Sequence, residues 1–196
     1  MIRNFELFCK LKFIKLSELM LFNKSVMAFC TDTSSCPLCG AKGALESHGH
    51  YYRDLIYLKA GEITITRIAV PRFMCDCGHT HAILPACLIP YASYGLFFIL
   101  SVLRVYFLRS KTILAICESF GISTSTLYAW IHLFHTHKAL WLGALSDLES
   151  SATDFLPLLL GKEDFLQLFF IQMSFSFLQG MSFPTTSRRL DLLDDP

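Results

Sequence analysis

Two pairs of cysteines are the residues of this sequence most suited to chemistry. One pair lies in "CPLCG" and the other in "CDCG", so each pair ends in a cysteine followed by a glycine. Four thiolates that converge at about 2.3 Å on one ion form the closed tetrahedral site in which zinc has a structural role. The pattern therefore predicts one zinc ion with four ligands, which are Cys36, Cys39, Cys75 and Cys77.

The residues around the cysteines favour convergence on one ion. Gly40 and Gly78 can take the positive φ that a sharp turn after the last ligand needs, and Pro37 stiffens the first turn. The second pair has one residue fewer between its cysteines than the common C-x-x-C form. In extended backbone, residues i and i+2 point to the same side, so Cys75 and Cys77 can still reach a common ion.

Histidine ligands and redox chemistry are the alternatives to a metal site of four cysteines. Histidine can replace cysteine at a zinc site, and four histidines lie near the pairs: His48, His50, His79 and His81. We interpret them as surface or strand-packing residues, with His79 and His81 in reserve as ligands. A C-x-x-C pair can also carry out redox chemistry, but such a pair lies at a helix N-terminus beside a βαβ unit. Here a hairpin follows the pair, which favours metal binding.

The remaining cysteines are predicted to be small buried hydrophobic residues; they are Cys9, Cys30, Cys87 and Cys117. The first thirty residues alternate lysines with apolar residues and lack the continuous apolar run and cleavage site of a signal peptide. Met20 and Met27 leave open that translation begins later. We expect a cytoplasmic protein whose thiols are reduced.

A β-hairpin is predicted between the two cysteine pairs. The stretches "HYYRDLIYL" and "EITITRIAVPRFM" are rich in β-branched and aromatic residues and flank "KAGE", in which Gly61 can take the positive φ of a tight turn. In the second stretch Ile63 and Ile65 alternate with Thr64 and Thr66, so one face is the more apolar at its start. A two-stranded hairpin is marginal alone, and the metal would hold its open ends together.

Two helices joined by a glycine turn are predicted further along the chain. Apolar residues recur at i, i+3, i+4 and i+7 on both sides of Gly121; they are Ile113, Ile116, Cys117 and Phe120, then Leu127, Trp130, Ile131 and Phe134. Gly121 can end the first helix, Ile122 can fill the corner, and Ser123 can cap the second helix. The pattern is typical of a helix-turn-helix.

In that geometry the second helix offers its N-terminal outer face to a DNA major groove. The residues expected to contact double-stranded DNA, all able to hydrogen-bond to bases or phosphates, are Thr124, Ser125, Tyr128, His132 and the upstream Lys111. A helical pair that only packs is the alternative, because this helix has no Lys or Arg before Lys138.

The charge and hydrophobicity of the chain bear on which partners it could bind. The chain is 53% hydrophobic and 17% charged, with a net charge of +1, so overall charge neither demands nor excludes a polyanionic partner. Two uncharged runs, Ala82 to Leu103 and Phe165 to Ser187, raise the alternative of membrane association. Prolines divide the first run and several glutamines and serines interrupt the second, so a membrane partner is not favoured.

The segments predict an α+β protein, in which a small zinc-ribbon hairpin unit precedes an all-helical helix-turn-helix unit. The predicted segments are a leader at 1–33, helical or preceding the natural start, a zinc ribbon at 34–90, a helix-turn-helix at 91–142, a C-terminal helical segment at 143–183 and a polar tail at 184–196. The C-terminal helices could also bury against a second copy of the chain.

The order of these parts resembles a bacterial family of unknown function that is similar to the N-terminal regions of insertion-sequence transposases. The resemblance rests on "CPLCG", "HGHYYRD", "CDCGHTHAILP", "LIPYASYG" and "FGISTSTLYAW", and it covers Cys36 to Trp141. It implies a zinc ribbon followed by a helix-turn-helix in a mobile element or regulator. Relatives of this kind more often have C-x-x-C at the second turn and arginine in the second helix.

A transposase would also need a carboxylate triad on an α/β domain that binds two metal ions. The residues after Trp141 are too few for that domain, and their acidic residues are interpreted as solvated charges at helix ends. We therefore expect a DNA-binding protein that is not an enzyme and has no small-molecule substrate. A zinc-stabilised protein-interaction module and a membrane-associated protein remain the alternatives.

Overall fold

The computed structural model describes residues 17–85 and 87–144, together with residues 169 and 173 and the segment 176–179. In chain order the elements of these residues are α1 (Glu18–Ala28), β1 (Leu45–Lys59), β2 (Glu62–Cys75), β3 (Thr80–Ala82), α2 (Leu96–Phe107), α3 (Ile113–Phe120) and α4 (Thr124–Ala144). The three strands form one antiparallel sheet in the order β1-β2-β3. The α+β class is therefore confirmed.

The predicted hairpin is the long β1–β2 ladder. Lys59 pairs with Glu62 across a turn in which Ala60 has φ 53° and Gly61 has φ 88°. Two consecutive residues of positive φ make the tight turn whose twist matches that of the strands. The ladder continues to Leu45 opposite Cys75, with one irregularity between Ser47 and His50.

The half of the hairpin near the turn packs on the helices. In β2 the packed face is the one that is less apolar at the start of the strand. Thr64, Thr66 and Ile68 point inward, whereas Ile63 and Ile65 are exposed, the latter at 66%. Because side chains alternate along a strand, the inward face continues to Val70. It contributes to the main core with Leu55 of β1, Phe22 of α1 and the apolar sides of α2, α3 and α4.

Helix α1 is joined to the start of α2 by a buried carboxylate. Glu18 is 2% exposed, and its Oε1 accepts a hydrogen bond of 3.0 Å from the amide of Phe98. A Cβ added at Gly95 would lie 2.6 Å from the same oxygen. Burial raises the pKa of Glu18, although hydrogen bonds from its own amide and the amides of Phe98 and Phe97 lower it.

Helices α3 and α4 meet at the predicted turn. Gly121 follows α3 with φ 60°, Ile122 is buried, and the side chain of Ser123 accepts from the amide of Thr126 at 3.1 Å. Leu127 and Phe134 are fully buried, as the apolar spacing predicted. Both helices also contact α2. The predicted roles of Gly121 at the end of α3, of Ile122 in the corner and of Ser123 as the cap of α4 are confirmed.

A few residues of the C-terminal segment pack on α4. Phe169, Phe177 and Leu178 are buried in the main core, and the amide of Leu178 donates to Nδ1 of His137 at 2.7 Å. Burial lowers the pKa of His137 to about 4. The rest of the predicted C-terminal helical segment, the first sixteen residues of the leader and the polar tail lie outside the described residues.

Within the described part of the chain, no helix has both the length and the apolar character that a bilayer crossing requires.

Cys87 and Cys117 are buried as predicted, but Cys30 is exposed, which corrects the prediction for it. The neighbouring Phe29 takes the apolar position there, with its ring 4.9 Å from that of Phe73. Cys9 lies outside the described residues.

Candidate functional site

The two cysteine pairs meet at the open end of the hairpin. The sulfur atoms of all four cysteines, Cys36, Cys39, Cys75 and Cys77, lie within 4.8 Å of one another. The Sγ atoms of Cys36 and Cys77 are 3.8 Å apart, and those of Cys39 and Cys75 are 3.6 Å apart. Four ligands at 2.3 Å around a tetrahedral ion stand about 3.8 Å from one another. The four cysteines could therefore hold a metal ion.

Each pair lies in a turn with the same pattern of hydrogen bonds. In the first turn the amide of Cys36 donates to the carbonyl of Ala41, and the amide of Gly40 donates to the carbonyl of Cys36, both at 2.9 Å. In the second turn Cys75 donates to His79 at 3.0 Å, and Gly78 donates to Cys75 at 2.8 Å. The C-x-C pair therefore closes the same kind of turn with one residue fewer.

The predicted conformations of the two glycines are found in both turns. Gly40 has φ 74° and Gly78 has φ 81°, and a Cβ at either would meet no atom within 4 Å. Backbone conformation rather than space accounts for glycine here, because residues with a Cβ rarely adopt such φ values. Each turn can thus present both of its sulfurs on one side.

Backbone amides favour the thiolate form of two of the four cysteines. Amides of Cys39 and Leu38 lower the pKa of Cys36 to about 5, and the amide and side chain of His79 lower the pKa of Cys77. At Cys75 the amide of Cys77 acts in the same direction, but burial and hydrogen bonds with the neighbouring thiols raise its pKa to about 12. The thiolate is the form of cysteine that binds metal, so the lowered pKa values of Cys36 and Cys77 suit these two sulfurs to a cation.

The reserve histidines lie beside the sulfur cluster. His81 is buried, and its Nε2 is 3.3 Å from Sγ of Cys36. His79 is exposed, and its Nδ1 is 3.7 Å from Sγ of Cys77. An imidazole in such a position can hydrogen-bond to a ligand sulfur and hold its orientation. His48 and His50 are exposed on β1, in agreement with their interpretation as surface residues.

The contact of His81 with Cys36 was not predicted from the sequence, because strand β3 was not predicted. Strand β3 pairs with the end of β2, and this register sets His81 opposite Phe73. Phe73 and Cys75 share one face of β2, so His81 is carried to the same side as the cluster. The alternation in "THAI" was the only local signal for this short strand.

A second, smaller core surrounds the cluster. We call it the satellite core; its buried members are Cys36, Leu45 and Cys75, and Phe29, Ala41, Ala44 and Phe73 pack against it. The irregularity in β1 includes Gly49, with φ 78°, and inserts one extra residue opposite Arg72. Such a bulge re-aims the strand locally and brings Leu45 opposite Cys75.

The residues predicted to contact DNA lie on the exposed side of the helical unit. Thr124, Ser125, Tyr128 and His132 are all exposed on α4, with Tyr128 at 51%. Lys111 is exposed just before α3, and its Nζ is 3.0 Å from Oγ of Ser119. The structure thus places all five of these side chains at the surface.

Local charge in the helical unit differs from that of the whole chain. Residues 91–144 contain four basic residues, Arg104, Arg109, Lys111 and Lys138, and a single acidic residue, Glu118. The unit is therefore basic although the chain has a net charge of only +1. This local excess is the charge that a polyanionic partner would meet.

Residues 36–130 match the model of a family described as a domain of unknown function, DUF6431. The match begins at the first cysteine of the cluster and ends within α4, just under half of the chain. It supports the predicted similarity to a family of unknown function, whereas the transposase-like part of that resemblance stays a prediction. The chain matches no curated protein and no solved structure.

Proposed function

We propose that this protein is a zinc-binding, non-enzymatic DNA-binding protein in which a structural metal site supports a helix-turn-helix. The observation that carries the proposal is the convergence of four sulfurs at the open end of a hairpin that is joined to a basic helical unit. The family match covers the cysteine cluster, the hairpin and the helical unit as far as Trp130. A mobile-element or regulatory context remains part of the proposal.

Zinc is the metal that the donor set favours. The four candidate ligands are thiolates with sulfur separations near those of a tetrahedral site. Soft sulfur ligands select zinc, copper(I) or iron-sulfur chemistry over magnesium or calcium. With four protein ligands no coordination position stays open, so the metal would stabilise the fold and would not activate a substrate.

DNA recognition is proposed for the exposed side of α4. Three residues, Gly121 to Ser123, join α3 to α4, which is the short connection that a helix-turn-helix requires. The side of α4 opposite its buried residues carries Thr124, Ser125, Tyr128 and His132, which can donate to or accept from base edges and phosphates. Lys111 would contact a backbone phosphate.

The experiment is a duplex-DNA binding titration of the metal-loaded full chain, measured by fluorescence anisotropy at several salt concentrations. We expect affinity to fall steeply with salt, because phosphate contacts release counterions, and Tyr128→Ala to weaken binding by several-fold. Tyr52→Ala is the matched control, since Tyr52 is exposed to a similar extent, 59%, but lies on the sheet. Equal losses in both variants would contradict the assignment to α4.

A specific observation favours a second candidate, a protein-interaction module. The outer face of the hairpin exposes Tyr52, Ile63 and Ile65, and the guanidinium of Arg67 lies 5.3 Å from the centre of the Tyr52 ring. Exposed apolar side chains grouped with an aromatic and an arginine are typical of protein interfaces. Absent or salt-independent DNA binding would favour this candidate.

A further inference from the structure

We propose that a cavity at the junction of α2, α3 and α4 binds one backbone phosphate of duplex DNA. This inference rests on the proposed DNA binding and assigns part of it to a definite place. The cavity has a volume of about 650 Å³, and its polar lining comes from Tyr106, Arg109, Lys111, Thr112 and His135. We call it the phosphate notch.

The charge of the notch suits an anion. Arg109 and Lys111 are exposed and line it together with the phenol of Tyr106, whereas no acidic residue lines it in the described part of the chain. The first turn of α3, which begins beside the notch, also has no acidic residue. The positive end of the helix dipole therefore adds to the two cations. A phosphate would find donors and positive charge on several sides.

The notch adjoins the exposed side of α4. His135 lines the notch and follows Tyr128 and His132 at intervals of seven and three residues, which puts all three on one face of the helix. Seven residues of helix span about 10 Å, close to the roughly 12 Å width of the major groove. A helix whose first turns face the bases would thus bring the notch to the phosphates at the edge of that groove.

Arg109 occupies a backbone position that favours glycine. Its φ is 51°, and its amide donates to the carbonyl of Tyr106 at 3.0 Å as the chain leaves α2. Residues with a Cβ pay a conformational cost in this region, whereas glycine does not. Arg109→Gly should therefore keep or raise the stability of the fold while removing the cation, which separates a binding role from a structural one.

The experiment measures the slope of log Kd against log salt for a labelled duplex, using the metal-loaded full chain. We expect Arg109→Gly and Lys111→Gln each to lower the magnitude of the slope by about 1, and to weaken binding similarly for unrelated duplex sequences. Lys59→Gln is the charge-matched control. Lys59 lines a different cavity with Glu18 and Phe97, at the opposite end of α2. Urea unfolding of each variant confirms that it is folded.

The outcomes distinguish this inference from the proposal on which it rests. Parent protein that binds duplex DNA with a steep slope, left unchanged in both notch variants, would overturn the phosphate notch and leave DNA binding intact. An equal loss of slope in Lys59→Gln would also overturn it, because the contacts would then be diffuse. A parent that does not bind duplex DNA at low salt would overturn both.

Discussion

The cysteines of the second turn sit one residue closer together than those of the first because the chain enters that turn directly from a strand. Cys75 is the last residue of β2, and the amide of Gly78 donates to its carbonyl, so Asp76 and Cys77 form a tight turn directly after the strand. The first turn has no such strand before it and uses Pro37 and Leu38 to bring Cys39 back beside Cys36. Two turns that differ in length by one residue thus each bring two sulfurs to the same site.

Removal of one sulfur should abolish stoichiometric metal binding. Cys39→Ser replaces a thiolate of the four-sulfur cluster with a hydroxyl that stays protonated and is a poor ligand for zinc. We expect about one zinc per chain in the parent and none retained after gel filtration of the variant, measured by inductively coupled plasma mass spectrometry.

Cys30→Ser is the control for this change, because Cys30 is also an exposed cysteine but lies outside the cluster. It should retain the parent's metal content. Full metal occupancy in Cys39→Ser, or a parent without metal, would contradict the proposed zinc site.

Single residues whose role depends on local backbone were predictable from the sequence. Gly40, Gly61, Gly78 and Gly121 have positive φ as expected, and Ser123 caps α4, because turn and cap chemistry depends on a few neighbouring residues. The contact of His81 with Cys36 joins residues far apart in the chain. Its detection required the register of β3, which no local pattern specified.

Among the elements, α1 and α2 are held together by an unusual buried contact. The carboxylate of Glu18 lies beside the first amides of α2, which lack helical partners. This carboxylate fills the space that a Cβ at residue 95 would need, which is free because residue 95 is glycine. The positive end of α2 stabilises the charge, but burial opposes it and raises the pKa of Glu18. This contact therefore costs free energy when Glu18 is ionised.

Substitution of Glu18 should change how stability depends on pH. Glu18 has an ordinary pKa of 4.5 and a higher one in the fold, so the unfolded chain loses its proton first, and stability falls as pH rises through this interval. Glu18→Gln keeps an oxygen for the amide of Phe98 and has no proton to lose. Its free energy of unfolding should rise relative to the parent from pH 4.5 upward, measured by urea unfolding.

Glu18→Ala is the informative companion variant, because it leaves the buried amide of Phe98 without its acceptor. It should lose about 1–3 kcal/mol of stability at all of these pH values. Parallel pH profiles for the parent and Glu18→Gln would show that Glu18 does not titrate abnormally.

The strands of the hairpin were predictable, but the face that they bury was not. Ile63 and Ile65 make one side of β2 the more apolar at its start, yet Thr64 and Thr66 point to the main core. Local hydrophobicity cannot decide between two faces when the deciding factor is the position of distant helices. Here α1 and α2 cover the threonine side because Leu55, Tyr57, Ile68 and Val70 continue it.

At the scale of the whole molecule, the described residues form two separate hydrophobic clusters. The main core joins the turn half of the hairpin to the helices, whereas the satellite core holds the cysteine turns at the open end. Among the described residues the satellite core has three buried members, of which two are cysteines of the four-sulfur cluster. A core of this size buries too little apolar surface to be stable alone, and the proposed metal would supply the missing stability.

Chelation of the metal should therefore loosen one end of the molecule and spare the other. In hydrogen exchange, the turn amides of Cys36, Gly40, Cys75 and Gly78 should lose protection, because the bonds that they make belong to the satellite core. The amides of Ile56 and Leu96, bonded within the main core, should keep theirs. Uniform loss of protection across the chain would contradict this separation.

Because the hairpin is long, binding of the proposed metal would depend on correct alignment of its two strands. Partners along the ladder grow steadily more distant in sequence, from Lys59 with Glu62 to Leu45 with Cys75, so pairing that starts at the turn reaches the cysteines last. A slip by one residue would send every side chain of a strand to the opposite face. Cys75 would then point away from Cys36, and four sulfurs could not meet. Metal capture would thus favour correctly aligned hairpins over misaligned ones.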